Sequence, residues 1–133
     1  MNRRKIIYMT AFCIYLAAVA VLCFARPESL PQIEVKTFLG IPIDKILHFI
    51  MFLPYTILSG LAFIGKDTRA AACMAVLILS VVTGAGISYG TEAIQAQTGY
   101  RAYEIGDFYA DVTGIMTGTV VAVVYLIKTR LEK

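Results

Sequence analysis

Residues 107–127 read DFYADVTGIMTGTVVAVVYLI, and this stretch decides the fold. Beyond Asp111 it carries no charged side chain. About 20 apolar residues, at a helical rise of about 1.5 Å each, cross a hydrocarbon layer of about 30 Å. Yet its first turn and a half holds two carboxylates. On a helix, Asp107, Asp111, Gly114 and Gly118 fall at i, i+4, i+7 and i+11, a single stripe. Glycines at that spacing let a second helix come close. Carboxylates on the same stripe therefore point at protein, not lipid, and the segment reads as one member of a bundle.

Working outward, three more apolar segments lie at about residues 6–25, 43–64 and 70–90. The chain of 133 residues is 59% hydrophobic and 16% charged, against about 45–50% and about 25% in soluble domains. A soluble fold this small cannot hide so much apolar surface. The sequence predicts one domain over residues 1–133, an all-α integral membrane four-helix bundle. The start, MNRRK before an apolar run, resembles a signal peptide. The run is longer than the usual h-region of about 7–15 residues, so it is expected to be a retained first span.

Between the first two spans, Pro27, Pro31 and Pro42 with mixed charge predict an ordered loop or a short interfacial helix near 35–39. Pro54 lies inside the second span and is expected to kink it. Residues 65–69 form a tight polar connection. The third span is expected to stay helical through Gln95, and Gln97 to Gly106 to form a second loop. Gly86 and Gly90 repeat the close-packing spacing in the third span.

Orientation follows from the basic residues. Arg3, Arg4, Lys5, Lys66, Arg69, Lys128, Arg130 and Lys133 would share one side, and Arg26, Lys36, Lys45 and Arg101 the other. The positive-inside rule then puts both termini in the cytoplasm. The net charge of +3 sits in short flanking clusters without interleaved aromatics, which argues against nucleic acid as a partner. Cys13, Cys23 and Cys73 lie within apolar segments without a CxxC spacing, so neither a disulfide framework nor a zinc motif is expected.

The ionisable groups collect at the outward ends of the spans. Asp44 and His48 are four apart at the start of the second span, and Glu92 and Gln95 three apart at the end of the third. Charges at such depth are costly unless they face protein, water or a ligand. His48 is the sole histidine. It reads as a buried, hydrogen-bonded ring, as a general acid or base, or as one ligand of a divalent cation beside Glu92, Asp107 or Asp111. Asp107 suits a helix N-terminus. Asp111 is a turn deeper and needs a partner, with Arg101, Lys45 and His48 as candidates. The planar fork of Arg101 also suits a phosphate or carboxylate. No Walker A, G-x-S-x-G, HExxH or GxGxxG motif is present, and no cofactor is indicated.

At these residues the chain resembles the VanZ-like membrane proteins. The match runs over about residues 40–120: Asp44-Lys45-x-x-His48-Phe49, then Glu92-x-x-Gln95, then Arg101, Glu104, Asp107 and Asp111-x-x-Gly114. The family usually has Asn where this chain has Asp111. The resemblance implies a bacterial cytoplasmic membrane protein facing cell-envelope material. It also implies a link to glycopeptide antibiotic resistance of the teicoplanin type. The expected partner is a membrane lipid or cell-wall precursor, bound or modified in an outward-facing pocket. His48, Glu92, Asp107 and Asp111 are the expected acid/base residues. Lys45, Arg101, Gln95, Asp44 and Glu104 are the expected ligand-binding ones, and no residue is assigned as a metal ligand. The competing expectation is a non-catalytic structural or partner protein whose polar cluster is an ion-pair network.

Overall fold

The computed structural model describes residues 3–25, 29, 36–99 and 104–131. Its elements are α1 (Arg3–Phe24), β1 (Thr37–Phe38), β2 (Ile41–Pro42), α2 (Ile43–Phe52), α3 (Pro54–Phe63), α4 (Ala70–Thr98) and α5 (Ile105–Leu131). With α2 and α3 counted as one broken span, four helical units are long and apolar enough to cross a membrane. Among the described residues the fold is all-α apart from one small hairpin.

Two local features depart from simple span geometry. Pro54 has no N–H to offer the carbonyl of Ile50, and its ring crowds the preceding turn. The helix therefore breaks at Leu53, although the Leu53 amide still reaches the Phe49 carbonyl at 3.0 Å. The interfacial helix expected near 35–39 does not form over its described part. Thr37 pairs with Pro42 and Phe38 with Ile41 in an antiparallel hairpin. Leu39 (φ 51°) and Gly40 (φ 79°) both take positive φ at its tip, as the tight hairpin turns require. The hairpin feeds directly into α2.

The bundle buries polar groups among its core residues and turns many large apolar ones outward. Thr56, Ser59, Ser80, Ser88 and Thr91 are buried, while Ile14, Val21, Ile78, Leu79, Val82 and Val120 are exposed. In water that arrangement would fail. In lipid it works, because hydrocarbon tails are as apolar as the side chains and polar groups must find partners within the protein. Ser59 Oγ donates to Ser80 Oγ at 2.8 Å, and Thr119 Oγ1 to Thr56 Oγ1 at 3.2 Å, tying α3 to α4 and to α5. Phe12, Tyr15 and Tyr55 form an aromatic cluster between α1 and α3. Phe52 and Ile115 are fully buried beside it. An apolar groove of about 260 Å³, lined by Leu77, Val81, Met116 and Val123 among others, runs between α4 and α5.

Helix α5 sits against α2, α3 and α4. A methyl group built at Gly114 would strike the Phe49 carbonyl oxygen, and one at Gly118 the Leu53 carbonyl oxygen. The expected glycine stripe of α5 is thus a backbone-to-backbone seam with α2. The pair Gly86 and Gly90 does not act this way, since nothing lies within 4 Å of a Cβ at either position. The close approach on α4 belongs to Gly84, where a Cβ would meet Tyr55 and Ile115 at 3.0 Å. Gly84 is in phase with the buried stripe Leu77, Ser80, Ser88, Thr91 and Gln95, and Gly86 is half a turn away from it.

Candidate functional site

The seam between α2 and α5 brings the first turns of both helices beside the last turns of α4. Asp44, Lys45 and His48 come from α2, Ser88, Glu92 and Gln95 from α4, and Asp107 and Asp111 from α5, with Glu104 just ahead of it. Arg101 lies outside the described residues. The other eight sequence-predicted residues all fall at this end of the bundle.

The site has two layers. In the outer one, the Lys45 ammonium donates to Asp44 (2.9 Å), Glu104 and Asp107. The Asp44 and Glu104 side chains are about half exposed, while Asp107 is nearly buried. Exposed pairs of this kind contribute little, about 0–1 kcal/mol each, so the weight of the network rests on Asp107. The charge of Lys45 is already shared among three carboxylates. That leaves little of it for an incoming anion.

The inner layer is buried. His48 Nδ1 lies 2.9 Å from Asp111 Oδ1, and Ser88 Oγ donates to Asp111 Oδ2 at 2.6 Å. Asp111 has no exposed surface. Of the two described partners considered for it, Lys45 and His48, His48 is the one in contact. With both oxygens engaged, Asp111 orients the imidazole from behind and turns Nε2 toward Asp107 Oδ2, 3.6 Å away. Gln95 donates to the Cys23 carbonyl at 2.6 Å. That bond ties α4 to the last turn of α1.

Glu92 differs from its neighbours. It is 2% exposed, and its Oε1 has no hydrogen-bond partner among the described residues. Buried polar atoms are almost always satisfied, and an exception calls for a reason. A Glu92 oxygen, a His48 ring nitrogen and an Asp107 oxygen all lie within 4.8 Å of one another. A second acidic group, Asp44, Glu104 and Asp107, is equally close, but the Lys45 ammonium already sits in contact with all three.

Ser88 was not among the sequence candidates, although its position was informative. It stands four residues before Glu92 on the buried stripe of α4, the spacing of two side chains on one face. Ser88→Ala is expected to cost about 1.5–3 kcal/mol, the range for a hydrogen bond to a charged group. Unfolding in mixed detergent micelles would measure it, and an unchanged midpoint would remove Ser88 from the Asp111 pairing. Comparison with protein-family models, with curated proteins and with solved structures finds no match to this chain.

Proposed function

We propose that this chain is a VanZ-like protein of the bacterial cytoplasmic membrane, with both termini cytoplasmic. In this reading it binds or modifies an anionic lipid-linked or cell-wall ligand at the outward polar end of the bundle. The observation that carries it is Glu92, a buried carboxylate with one oxygen unsatisfied among the described residues, set against His48 and Asp107. A protein that needed only a structural lock at this end would satisfy that oxygen, because a half-satisfied buried network is worse than an apolar core. His48, Glu92 and Asp107 would do the acid/base work, with Asp111 positioning His48. Asp44 and Glu104 hold Lys45 at the rim. The anionic group would fall to Arg101, the sequence-predicted cation outside the described residues. The setting in the cell envelope, and any link to glycopeptide resistance, rest on the resemblance in sequence.

A specific observation also favours the second reading, a non-catalytic ion-pair network. Lys45 joins three carboxylates, and Ser88, Asp111 and His48 form a closed chain. Native mass spectrometry of the detergent-purified protein separates the two. The first reading expects an anionic lipid or precursor retained by wild type and lost in Arg101→Ala at an unchanged melting temperature. Absence of any adduct from wild type and variant alike would leave the network reading. Glu92→Gln, measured in chelator-containing buffer, supplies a second discrimination. A functional Glu92 costs stability, so its neutral isostere is expected to melt at the same temperature or higher. A load-sharing member of a network would lose about 1–3 kcal/mol on the same change.

A further inference from the structure

We propose that His48 Nε2, Glu92 and Asp107 form a binding site for a divalent transition-metal ion, with Zn²⁺ or Mn²⁺ as the fitting ions. The inference goes beyond the ligand reading and stands without it.

Three independent features of the cluster converge on a cation. The first is the ligand set: three buried residues on three different helices present donor atoms within 4.8 Å of one another. Donors about 2.1 Å from a tetrahedral ion stand about 3.4 Å apart, and His48 Nε2 and Asp107 Oδ2 are 3.6 Å apart. That gap is too long for a hydrogen bond and suits a shared ion. The second is Glu92 Oε1, an oxygen without a donor among the described residues, in a residue 2% exposed. A metal ion held by the Glu92 carboxylate would compensate it.

The third feature is the support behind the ligands. Metal-binding histidines usually donate their other ring N–H to a carboxylate, which fixes the tautomer and aims the free nitrogen at the ion. Here Asp111 accepts from Nδ1 and is itself held by Ser88. Asp107 divides its oxygens in the same manner: Oδ1 takes the Lys45 ammonium, and Oδ2 faces His48. The charge among the described residues agrees, since with a neutral imidazole at His48 the Lys45 ammonium alone stands against Asp44, Glu92, Glu104, Asp107 and Asp111. One imidazole with two carboxylates favours borderline ions over Mg²⁺ or Ca²⁺, which prefer oxygen alone. Three protein ligands also leave coordination positions for water or a ligand oxygen.

The test is isothermal titration of the full-length, chelator-stripped protein in detergent with Zn²⁺, Mn²⁺ and Mg²⁺, with folding followed by thermal melting. Wild type is expected to bind one equivalent of Zn²⁺ or Mn²⁺ in preference to Mg²⁺. Asp111→Asn leaves the three ligands in place and is expected to weaken binding about 10–100-fold, as loss of a supporting carboxylate does. Glu92→Gln should weaken it further, while Asp44→Asn at the rim should leave it unchanged. Cobalt(II) loading of wild type needs no variant: intense visible bands from a low-coordinate ion, bleached by Zn²⁺, are expected. Folded wild type that takes up no Zn²⁺ or Mn²⁺ at millimolar concentration would overturn the site. So would Glu92→Gln binding as tightly as wild type, or a cobalt spectrum no different from that in buffer. Failure here leaves the lipid-adduct result untouched, and the reverse also holds.

Discussion

Replacing His48 with leucine is expected to destabilise the protein by about 3–5 kcal/mol, the range for stripping one partner from a buried ionic pair. The leucine fills much of the volume of the imidazole, so the loss is electrostatic and not a cavity effect. Asp111 has no exposed surface, and Oδ1 would keep no donor once Nδ1 is gone. Ser88 would still serve Oδ2, which holds the penalty below that of a bare charge in hydrocarbon. The double variant His48→Leu/Asp111→Leu removes both members. It is expected to recover most of the loss, because replacing both partners by apolar groups of similar shape is close to neutral. Unfolding in mixed micelles of wild type, both single variants and the double variant closes a cycle whose coupling energy measures the pair directly. A single-variant loss below about 1 kcal/mol, the level of an exposed pair, would mean that Asp111 does not depend on His48.

The membrane character of this chain is legible because it is a one-dimensional property. A run of about 20 apolar residues declares a span regardless of what surrounds it, and all four appear in the structure. Their ends were harder to read. Helix α4 continues to Thr98 and α5 starts at Ile105 and runs on to Leu131, past the apolar limits. Helical hydrogen bonding does not stop where hydropathy does, and Gly99 with φ 72° supplies the actual C-terminal stop of α4. The hairpin at 37–42 was hidden for a related reason. Two-residue strands carry no periodicity, and only the turn chemistry of Leu39-Gly40 marks them.

For the site, helical spacing made the faces legible but not their pairing. Asp107, Asp111, Gly114 and Gly118 were readable as one stripe, and all four are buried. Nothing in the spacing states that this stripe meets α2 and not α3 or α4, so the partner of Asp111 stayed one of three. Lys45 shows the same limit. As a lone lysine at a span end it invites an anionic ligand, whereas in the structure its ammonium lies among carboxylates from α2, α5 and the residue preceding α5. Whether a charge is spent or free is a tertiary property. Glu92 gained its weight the same way, through a missing partner that no sequence pattern can display.

Gly118→Val is expected to remove the folded bundle, with a loss of about 3 kcal/mol or more, beyond the usual range for overpacking. The reason lies in what the new side chain would meet. At Gly118 the obstacle is the Leu53 carbonyl oxygen, and at Gly114 the Phe49 carbonyl oxygen with the Leu53 amide behind it. A side chain can change rotamer to make room, but a helix backbone cannot, so α5 would have to leave α2. The same displacement would draw Asp111 away from His48 and Asp107 away from Lys45, so stability and site are expected to fail together. Gly114→Ala probes the seam with the smallest possible change and is expected to be severe as well, because even a single methyl meets backbone there. Gly86→Ala and Gly90→Ala provide the control. They lie in the same kind of helix at the same spacing with open space around them, and helix propensity alone predicts a gain of up to about 1 kcal/mol. Equilibrium unfolding of the four variants in mixed micelles would read these effects against one another. If Gly118→Val matched Gly86→Ala, the α2–α5 seam would be wrong, and the placement of His48 beside Asp111 would fall with it.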